Sequence, residues 1–423
     1  MRRVLLVPCG TEIANEIVRS LKDIKNISVY GANSINCYSY INDKNIDYNI
    51  PLVDEDDFIN SILELENKWG ITHIIPAHDS SALKLTENRH LFKSKIVSSS
   101  FETNNICRSK TNTYEKLKNI IRVPKVYNKN TDEYHYPLFI KPDIGQGSVG
   151  TRLVKSSNEL DLKSGDLLCE FLPGEEYTID CLTDPNGVLI YSKARKRCRM
   201  RNGIAVETKL VDQQIKFQEI AKKINLALDL RGAWFFQVKE ASDGELCLLE
   251  VATRIAGSMV TSRFNGINFA ELSILVSDDI PISIIDNNLP VTLYRNLNVQ
   301  FKSQLDYDVI YTDYDDCLLF SDGRVNYQLL AFLYHGINNG KKIILITRHD
   351  GDLKLSLSKY RLNNVFDSII HINDRSKKKS EFINNSKSIF IDDSFKERKD
   401  VYDKFKIPCF SVDMIDGLLC LKN

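Results

Sequence analysis

The feature that most constrains the fold of this chain is a glycine-rich stretch between two apolar runs, residues 136–155 (YPLFIKPDIGQGSVGTRLVK). It contains Gly-x-Gly-x-x-Gly, but a dinucleotide-binding fingerprint requires a helix directly after the glycines. Residues 151–155 instead alternate small or charged side chains with apolar ones, which is the period of a strand. The pattern therefore predicts a β-hairpin with the glycines at its tip.

A hairpin tip of this composition can bind phosphate. Around Gly147 and Ser148 no bulky side chain covers the backbone N–H groups, and such a concavity accepts phosphate oxygens. Lys141, on the preceding strand, can add a positive charge to the same phosphates. The alternative is a flexible glycine hairpin with a surface lysine.

The composition argues against several classes of partner. Lys plus Arg and Asp plus Glu both total 56, so the formal net charge is zero, and no overall field attracts the chain to nucleic acid or to an anionic membrane. No apolar run approaches the roughly 18 residues of a membrane helix. The ten cysteines include no C-x-x-C pair, which is typical of reduced thiols in an intracellular protein. We therefore expect a cytoplasmic protein that binds neither nucleic acid nor membranes.

Strand and helix signals alternate through residues 1–100. This alternation predicts a parallel sheet flanked by helices, a half-Rossmann domain without the glycine fingerprint. His78, Asp79 and Ser80 follow one of its strands, and three consecutive residues cannot converge as a catalytic triad. We expect them at the carboxyl edge of the sheet, where loops contact ligands.

Three polar residues of the central region are candidates for nucleotide contacts. Lys110 stands in the first turn of a predicted helix over 109–118, where a cation opposes the helix dipole unless it reaches an anion. Glu170 and Glu176 flank a turn between two predicted strands. A carboxylate buried at a strand end can accept hydrogen bonds from an amino group or from ribose hydroxyls. An ordinary surface lysine and two solvated carboxylates are the alternatives.

A run of basic residues occupies 193–201 (KARKRCRMR). Five of its six basic residues fall on odd positions, so that in a strand their side chains point to one face. One basic stripe in a chain without net charge favours a small polyanionic ligand, with Arg197, Arg199 and Arg201 as candidate substrate contacts. A plain basic surface or an RNA contact is the alternative.

A predicted hairpin further along the chain carries two embedded polar residues. Gln237 and Glu250 lie near corresponding positions of its strands, each among apolar neighbours. A buried carboxylate beside a carboxamide is costly unless it is paired or binds a metal, and such oxygen ligands suit Mg²⁺. Arg254 is expected near the same phosphates. An ion pair between Glu250 and Arg254 with no ligand is the alternative.

Taken together, these residues resemble the ATP-grasp superfamily, in particular its branch similar to the large subunit of carbamoyl-phosphate synthase, over about residues 1–300. The resemblance implies that ATP is contacted by two lysines, the glycine flap, the adenine-hinge segment that begins at a glutamate, and a ribose-binding glutamate. These positions correspond here to Lys110, Lys141, Gly147, Ser148, Glu170, Phe171, Leu172 and Glu176.

The same resemblance implies Gln237 and Glu250 as Mg²⁺ ligands and Arg254 as a catalytic residue. The family motif E-x-N-x-R reads Glu250-Val-Ala252-Thr-Arg254 here, and because Ala252 cannot ligate a metal, the number of Mg²⁺ ions stays open. The chemistry implied is activation of a carboxylate by ATP as an acyl phosphate, followed by attack of an amine.

A second set of motifs begins near residue 306. Asp313 and Asp315 end an apolar strand, Thr347 ends another, and Asp392 with Asp393 ends a third. Because strands alternate with helices, these carboxyl ends are expected to meet at one edge of a parallel sheet. Unit charges ~4 Å apart repel by about 4 kcal/mol per pair at an effective dielectric near 20, and a bound Mg²⁺ removes that penalty.

This layout resembles the haloacid dehalogenase (HAD) phosphatase superfamily over about residues 306–423. The resemblance implies Asp313 as the nucleophile, Asp315 as the general acid–base, Thr347 and Lys379 as phosphoryl ligands, and Asp313, Asp315, Asp392 and Asp393 as the metal-binding carboxylates. Lys377 and Lys378 are alternative candidates for the phosphoryl-binding lysine. We prefer Lys379 because an apolar helix face begins directly after it. Cys317 stands where the family usually has Thr or Val. The short spacings between the motifs leave no room for a lid domain.

The sequence therefore predicts a multidomain protein of the α/β and α+β classes. Its expected parts are a Rossmann-like pre-ATP-grasp domain (1–100), an ATP-grasp domain (101–303) and a capless HAD-like domain (306–423). The expected function is an ATP-dependent carboxylate–amine ligase fused to a phosphatase. It would use ATP and Mg²⁺ or Mn²⁺, with a small carboxylate, an amine and a phosphorylated metabolite as substrates. A small-acid kinase of the carbamoyl-phosphate type and a silent nucleotide-binding scaffold are the competing hypotheses.

Overall fold

The computed structural model describes residues 1–201, 203–296, 301 and 303–420. The chain divides into two compact units, unit 1 (1–296) and unit 2 (297–423). The end of the predicted 101–303 domain falls partly on 297–300 and 302, which lie outside the described residues. Across the described ranges, no helix combines the length and the apolar character needed to cross a membrane.

Unit 1 begins with a five-stranded parallel sheet, as predicted for residues 1–100. Its strands are β1 (Arg2–Val7), β2 (Ile27–Ala32), β3 (Ile46–Asp47), β4 (His73–Pro76) and β5 (Lys95–Ile96). They pair in the order β3-β2-β1-β4-β5. The accompanying helices are α1 (Glu12–Leu21), α2 (Phe58–Trp69) and α3 (Asp79–Glu87). A turn in which the Phe58 N–H donates to the Glu55 carbonyl leads into α2.

The centre of unit 1 holds two antiparallel sheets, of four and six strands. The smaller sheet consists of β6 (Val126–Tyr127), β7 (Leu138–Pro142), β8 (Arg152–Val154) and β9 (Asp166–Glu170), in the order β6-β9-β7-β8. The larger consists of β10 (Glu176–Thr183), β11 (Leu189–Arg201), β12 (Ile204–Leu210), β13 (Gly232–Glu240), β14 (Leu246–Ala252) and β15 (Thr292–Tyr294), in the order β14-β13-β10-β11-β12-β15. The helices are α4 (Phe101–Arg108), α5 (Lys110–Leu117), α6 (Ile215–Ala227), α7 (Val260–Phe264) and α8 (Phe269–Ser277).

Two local predictions for this region are confirmed. Strands β7 and β8 pair with Leu138 opposite Val154, so the glycines do form the tip of a hairpin. Strands β13 and β14 pair with Gln237 opposite Glu250. The turn between β9 and β10 joins the two sheets, so that the segment from Glu170 onward leaves one sheet and enters the other.

The parallel sheet and the six-stranded sheet share one apolar core. Residues such as Leu6 and Ile17 of the first sheet and its helix cluster with Phe235 and Ile274 of the second sheet and its helix. The shared core explains why the predicted 1–100 and 101–303 domains form one compact unit rather than two.

Unit 2 is built on a second five-stranded parallel sheet. Its strands are β16 (Val309–Thr312), β17 (Lys342–Thr347), β18 (Ser368–His371), β19 (Ser388–Ile391) and β20 (Cys409–Phe410), in the order β18-β17-β16-β19-β20. The helices are α9 (Tyr327–Asn338), α10 (Leu353–Lys359), α11 (Phe395–Phe405) and α12 (Ile415–Leu419). The helix predicted around Lys379 is a single 3-10 turn, Lys379–Glu381.

A partly buried ionic cluster ties the strand beginnings of the first sheet to the end of α8. The Asp278 carboxylate accepts from Arg2 Nε at 2.8 Å, His73 Nε2 at 3.0 Å and Lys95 Nζ at 2.9 Å. Burial alone would raise the pKa of Asp278, but these three donors outweigh it and hold the pKa at about 2. Burial also lowers the pKa of His73.

We expect this cluster to make the stability of unit 1 sensitive to acid. The pKa of Asp278 is lower in the folded state than in the unfolded chain, so its stabilisation is present above about pH 4 and is lost as the pH falls toward 2. Asp278→Asn should lower the free energy of unfolding by about 2 kcal/mol at pH 7 and by much less at pH 2.5. Urea unfolding followed by tryptophan fluorescence measures this, because Trp69 and Trp234, the two tryptophans of the chain, both lie in unit 1.

The exposed Asp23 provides the matched control, since its side chain is 85% exposed. Asp23→Asn should leave the unfolding curves unchanged. A difference between wild type and Asp278→Asn that stays constant with pH would contradict the assignment.

Candidate nucleotide and phosphoryl sites

Lys141 lies inside unit 1 rather than on its surface. It is 6% exposed, its Nζ is 2.5 Å from the Tyr114 hydroxyl, and its ammonium stands over the Tyr114 ring, 5.1 Å from the centroid. Burial lowers the pKa of Lys141. In the described part of the chain this ammonium makes no ion pair with a carboxylate, so the surface-lysine alternative is wrong and the charge faces a cleft.

The hairpin tip presents its backbone to the same cleft. Gly147, Ser148 and Gly150 adopt left-handed conformations, with φ of 61°, 58° and 78°, and consecutive N–H groups in such turns form anion-binding concavities. Gly203, in the turn after β11, approaches the tip so closely that a Cβ built there would lie 2.0 Å from the Gly147 carbonyl oxygen. Only glycine fits at that position without a shift of the tip.

Together these elements enclose a cleft of about 940 Å³ between the two antiparallel sheets. All eight predicted ATP contacts line it, together with three further predicted site residues. The predicted ATP contacts are Lys110, Lys141, Gly147, Ser148, Glu170, Phe171, Leu172 and Glu176, and the other three are Arg197, Gln237 and Glu250.

Lys110 is held by the strand that leads to the glycine tip. Ser109 caps helix α5, and Lys110 Nζ donates to the carbonyls of Pro142 and Asp143, both at 3.1 Å. The Asp143 carboxylate accepts from Ser109 Oγ at 2.8 Å and from the Thr111 N–H at 2.7 Å. Burial lowers the pKa of Lys110, so this cation too is positioned at the edge of the cleft without a carboxylate partner among the described residues.

The two predicted nucleotide glutamates have different surroundings. Glu170 Oε1 accepts from the Lys125 N–H at 2.9 Å, and Oε2 lies 3.7 Å from Arg122. Glu176 is paired with Arg197, whose Nη1 also donates to Gln237 Oε1 at 3.0 Å. One arginine therefore joins the predicted ribose-binding and metal-binding residues.

The Glu250 carboxylate faces the cleft without a close partner of opposite charge among the described residues. Burial raises the pKa of Glu250, as does the nearby Asp79, against the opposing charges of Lys110 and Arg254. In the described ranges no hydrogen bond or ion pair to its carboxylate is present, although Gln237 faces it across the strand pair. An orphaned carboxylate beside a carboxamide oxygen fits Mg²⁺.

The predicted alternative, an ion pair between Glu250 and Arg254, is wrong. Arg254 Nε and Nη2 donate to the two oxygens of Asp79, each at 2.9 Å. Burial by itself would raise the pKa of Asp79, but Arg254 outweighs it and lowers the pKa. Asp79 opens helix α3 at the carboxyl edge of the first sheet, so this bidentate pair fastens the two sheets together beside the cleft.

The basic run on β11 does not form the predicted single stripe. Arg195 is buried and donates to both oxygens of the buried Asp180, at 2.9 and 3.0 Å, and Lys193 pairs with Asp286 at 3.0 Å. Register irregularities next to Arg199 interrupt the alternation. Arg197 reaches the cleft, whereas Arg199 and Arg201 are exposed and do not line it.

A wider cleft of about 1320 Å³ adjoins the first and opens toward the parallel sheet. It shares Lys110, Arg197 and Glu250 with the nucleotide cleft. Residues that follow β1 and β4 complete its wall, and of these only His78 and Asp79 were expected from the sequence, at the carboxyl edge of the sheet. Gln146 belongs to the glycine-rich motif, whereas no motif indicated the lining residues Glu12, Arg108 and Arg295.

In unit 2, Lys379 is the lysine that reaches the predicted catalytic carboxylates. Its Nζ lies 2.8 Å from Asp313 Oδ2 and 2.7 Å from Asp392 Oδ2, and the two carboxylates raise its pKa despite burial. Lys378 instead pairs with Asp400 at the surface. Burial, together with the charge of Asp313, raises the pKa of Asp392 to about 7.

The site of unit 2 contains polar atoms that are buried without partners. Asp313 Oδ1 and Thr347 Oγ1 have no hydrogen-bond partner among the described residues. One ligand atom each of Asp313, Cys317 and Asp393 lies within 4.8 Å of the others, which fits a divalent cation. Asp392 is less free to ligate a metal, because its Oδ1 accepts from the Ser394 N–H and its Oδ2 from Lys379.

Asp315 has a partner that the sequence did not indicate. His349 Nδ1 lies 2.8 and 3.1 Å from the two oxygens of Asp315, and the Tyr314 ring packs edge-on against the imidazole at 5.1 Å. His349 follows Thr347 by two residues on the loop after β17, a position that no motif of the resemblance marks.

Comparison with known proteins bears on unit 1. Residues 164–300, less than half of the chain, match the family described as "ATP-grasp in the biosynthetic pathway with Ter operon". A comparison with curated protein sequences gave no match.

Solved structures with a similar fold include two ADP complexes. The biotin carboxylase domain of Hydrogenobacter thermophilus 2-oxoglutarate carboxylase, with MgADP and bicarbonate, has a TM-score of 0.57 at 16% identity and covers 68% of this chain and 72% of that one. N5-carboxyaminoimidazole synthetase from Staphylococcus aureus with ADP has a TM-score of 0.58 at 15% identity, covering 70% and 82%. Biotin carboxylase from Campylobacter jejuni has a TM-score of 0.56 at 16% identity, covering 67% and 73%. Residues 164–300 therefore match an ATP-grasp family model, and unit 1 has a fold similar to that of these carboxylase and synthetase structures.

Proposed function

We propose that unit 1 is an ATP-dependent ligase that joins a carboxylate to an amine through an acyl phosphate. The observation that supports this most is the convergence of all eight predicted ATP contacts on one cleft. The similar carboxylase domain and synthetase named above bind ADP, which supports a nucleotide in this cleft. The adjoining wider cleft leaves room for the acid and the amine beside the γ-phosphate.

The proposed reaction requires positioned positive charge more than covalent assistance. The ammonium groups of Lys110 and Lys141 and the N–H groups of the glycine tip are available to the phosphates. A bound Mg²⁺, held by Gln237 and Glu250, would neutralise charge on the phosphates. A carboxylate oxygen attacks the γ-phosphorus and ADP leaves; the amine then attacks the acyl carbon and phosphate leaves.

We also propose that unit 2 is a lidless, Mg²⁺-dependent phosphatase of the HAD type. The observation that supports it is the meeting of Asp313, Thr347, Lys379 and Asp392 at the carboxyl ends of three adjacent strands. Asp313 would attack the phosphorus of a phosphate ester while Asp315 gives a proton to the leaving oxygen. Water then attacks the aspartyl phosphate, with Asp315 taking back a proton, so that phosphate is released and both carboxyls are restored.

Removal of the buried lysine tests the ligase proposal. Lys141→Ala should weaken binding of ATP with Mg²⁺ at least about tenfold, about 1.4 kcal/mol, because a desolvated cation that faces the phosphates is lost. Isothermal titration calorimetry measures the affinity. Lys155→Ala, an exposed lysine on the same hairpin, is the matched control and should bind as the wild type does.

A panel of carboxylate and amine pairs assayed for ADP release then tests the reaction class. Release that requires both partners supports the ligase, whereas release with the acid alone supports the kinase hypothesis. Binding without turnover across the panel supports the silent scaffold.

Removal of the proposed nucleophile tests the phosphatase. Asp313→Asn should lower Mg²⁺-dependent hydrolysis of p-nitrophenyl phosphate at least about a thousandfold, because an amide oxygen is a poor nucleophile. Asp403→Asn, at the exposed face of α11, should retain activity. ADP release should be unaffected by Asp313→Asn, and loss of both activities in a folded protein would count against two separate active sites.

A further inference from the structure

A further cavity of unit 1 lies apart from the nucleotide cleft. It has a volume of about 950 Å³, and the two share no lining residue within the described ranges. Its walls come from the ends of β4 and β5, the segment after β5, the start of β13 and the end of α8. Arg254 lines both this pocket and the wider cleft. Apart from Arg254, nothing in the proposed ligase accounts for this pocket.

The wall of this pocket is rich in positive charge. Among the described lining residues Asp279 is the one acidic side chain, whereas four are basic: Arg89, Lys95, Arg231 and Arg254. Lys95 is paired with Asp278 and Arg254 with Asp79. The positive charge that is left for a ligand therefore belongs to the other two arginines.

Arg89 and Arg231 are held close to each other by one segment of the chain. Arg89 Nη2 donates to the carbonyls of Ser98 and Ser99, at 3.1 and 3.2 Å, and the Arg231 N–H donates to Ser99 Oγ at 3.1 Å. Arg231 Nη2 pairs with Asp279 Oδ1 at 2.5 Å. Arg89 has no carboxylate partner in the part of the chain that the structure describes, and it is exposed to solvent, so that a ligand can reach it.

Both guanidinium groups keep donors that the protein does not use. Across the described ranges, no hydrogen bond reaches Nε or Nη1 of Arg89 or of Arg231. Partial desolvation and the neighbouring charge of Arg231 lower the pKa of Arg89, against the weaker attraction of Asp229. Two like charges are thus held together, and an anion bound between them relieves their repulsion.

The donors and the walls indicate the class of ligand. A guanidinium group binds carboxylate or phosphate oxygens through two parallel hydrogen bonds, and two such groups suit an anion with two negative charges. The apolar side chains of the lining include Phe92, Ile96 and Ile255. Apolar walls with a few placed polar groups are typical of sites for small organic molecules, so an organic anion fits better than a bare inorganic one.

We propose that this pocket binds a small organic dianion, a dicarboxylate or a phosphate monoester, between Arg89 and Arg231. Each guanidinium group donates from Nε and Nη1 to one end of the ligand, and the apolar side chains contact its carbon skeleton. The site is separate from the nucleotide cleft, and the proposal does not rest on the proposed ligase.

Protection of single arginines from phenylglyoxal tests the site in the full chain. Glutarate and glycerol 3-phosphate serve as dianionic probes and butyrate as the monoanion, all at matched ionic strength, and peptide mass spectrometry reads each arginine separately. A dianion near saturation should slow modification of Arg89 and Arg231 at least about fivefold. Arg361, an exposed arginine of unit 2, should react at an unchanged rate.

Two variants test the assignment by isothermal titration calorimetry with the same probes. Arg89→Gln removes an exposed side chain, so the circular dichroism spectrum should stay native while the affinity for the dianion falls at least about tenfold. Lys93→Gln is the matched control, because Lys93 is an exposed cation of the same segment that does not line the pocket. Its affinity should equal that of the wild type.

Protection by one of the two dianions supports the proposal and identifies the acidic group that the pocket prefers. Absence of protection by both dianions would overturn it. Equal protection by butyrate and by the dianions would overturn it too, since it would indicate a general anion effect only. Unchanged affinity in a folded Arg89→Gln protein would place the binding elsewhere and reject the site.

Discussion

Charged side chains that leave water must find partners of opposite charge, and this constraint shapes both units. Where a buried charge is fully paired, it serves the architecture. Arg195 and Asp180 form a bidentate pair inside the six-stranded sheet, and Arg254 and Asp79 join that sheet to the parallel one. Removing one member of such a pair leaves the other buried and uncompensated, which typically costs 3 to 5 kcal/mol.

Where a buried or half-buried charge is incompletely paired, it is a candidate contact for a ligand. Lys141 and Lys110 are held by a hydroxyl and by carbonyls, with no carboxylate partner among the described residues. Glu250 is opposed only by more distant positive charges. These groups are costly without a ligand, and a nucleoside triphosphate with a divalent cation would satisfy both signs at once. In unit 2, Asp313 Oδ1 is likewise buried without a hydrogen-bond partner among the described residues, and it is a candidate contact for a ligand.

Several elements were predictable because their signals are local. The glycines followed by a period-two run predicted the hairpin at 138–154, and two embedded polar residues on adjacent strands predicted the pairing of Gln237 with Glu250. Alternating strand and helix patterns predicted both parallel sheets. In each case the backbone geometry is decided by residues within about one hairpin or one strand–helix unit. The periodicity of a short stretch of sequence is therefore enough to predict it.

The predictions that were wrong or incomplete concern the partners of charged side chains. The basic run on β11 was expected to share one face, but register irregularities and the pairing of Arg195 with Asp180 divide it. Arg254 was weighed against Glu250, four residues away, whereas its partner Asp79 is far off in sequence. His349 beside Asp315 was not expected at all. Each error is a choice of long-range partner, which residue type and spacing do not encode.

The sequence by itself determined the strand and helix alternation, the hairpin with its glycine tip, and the chemical types of residue that end the strands, because these depend on periodicity and on backbone conformation close in the chain. The tertiary structure alone decided which charges are satisfied by other charges and which are left facing a cleft. That distinction depends on desolvation and on distances of a few ångströms between segments far apart in sequence, and it is what separates a structural arginine such as Arg195 from a buried lysine such as Lys141.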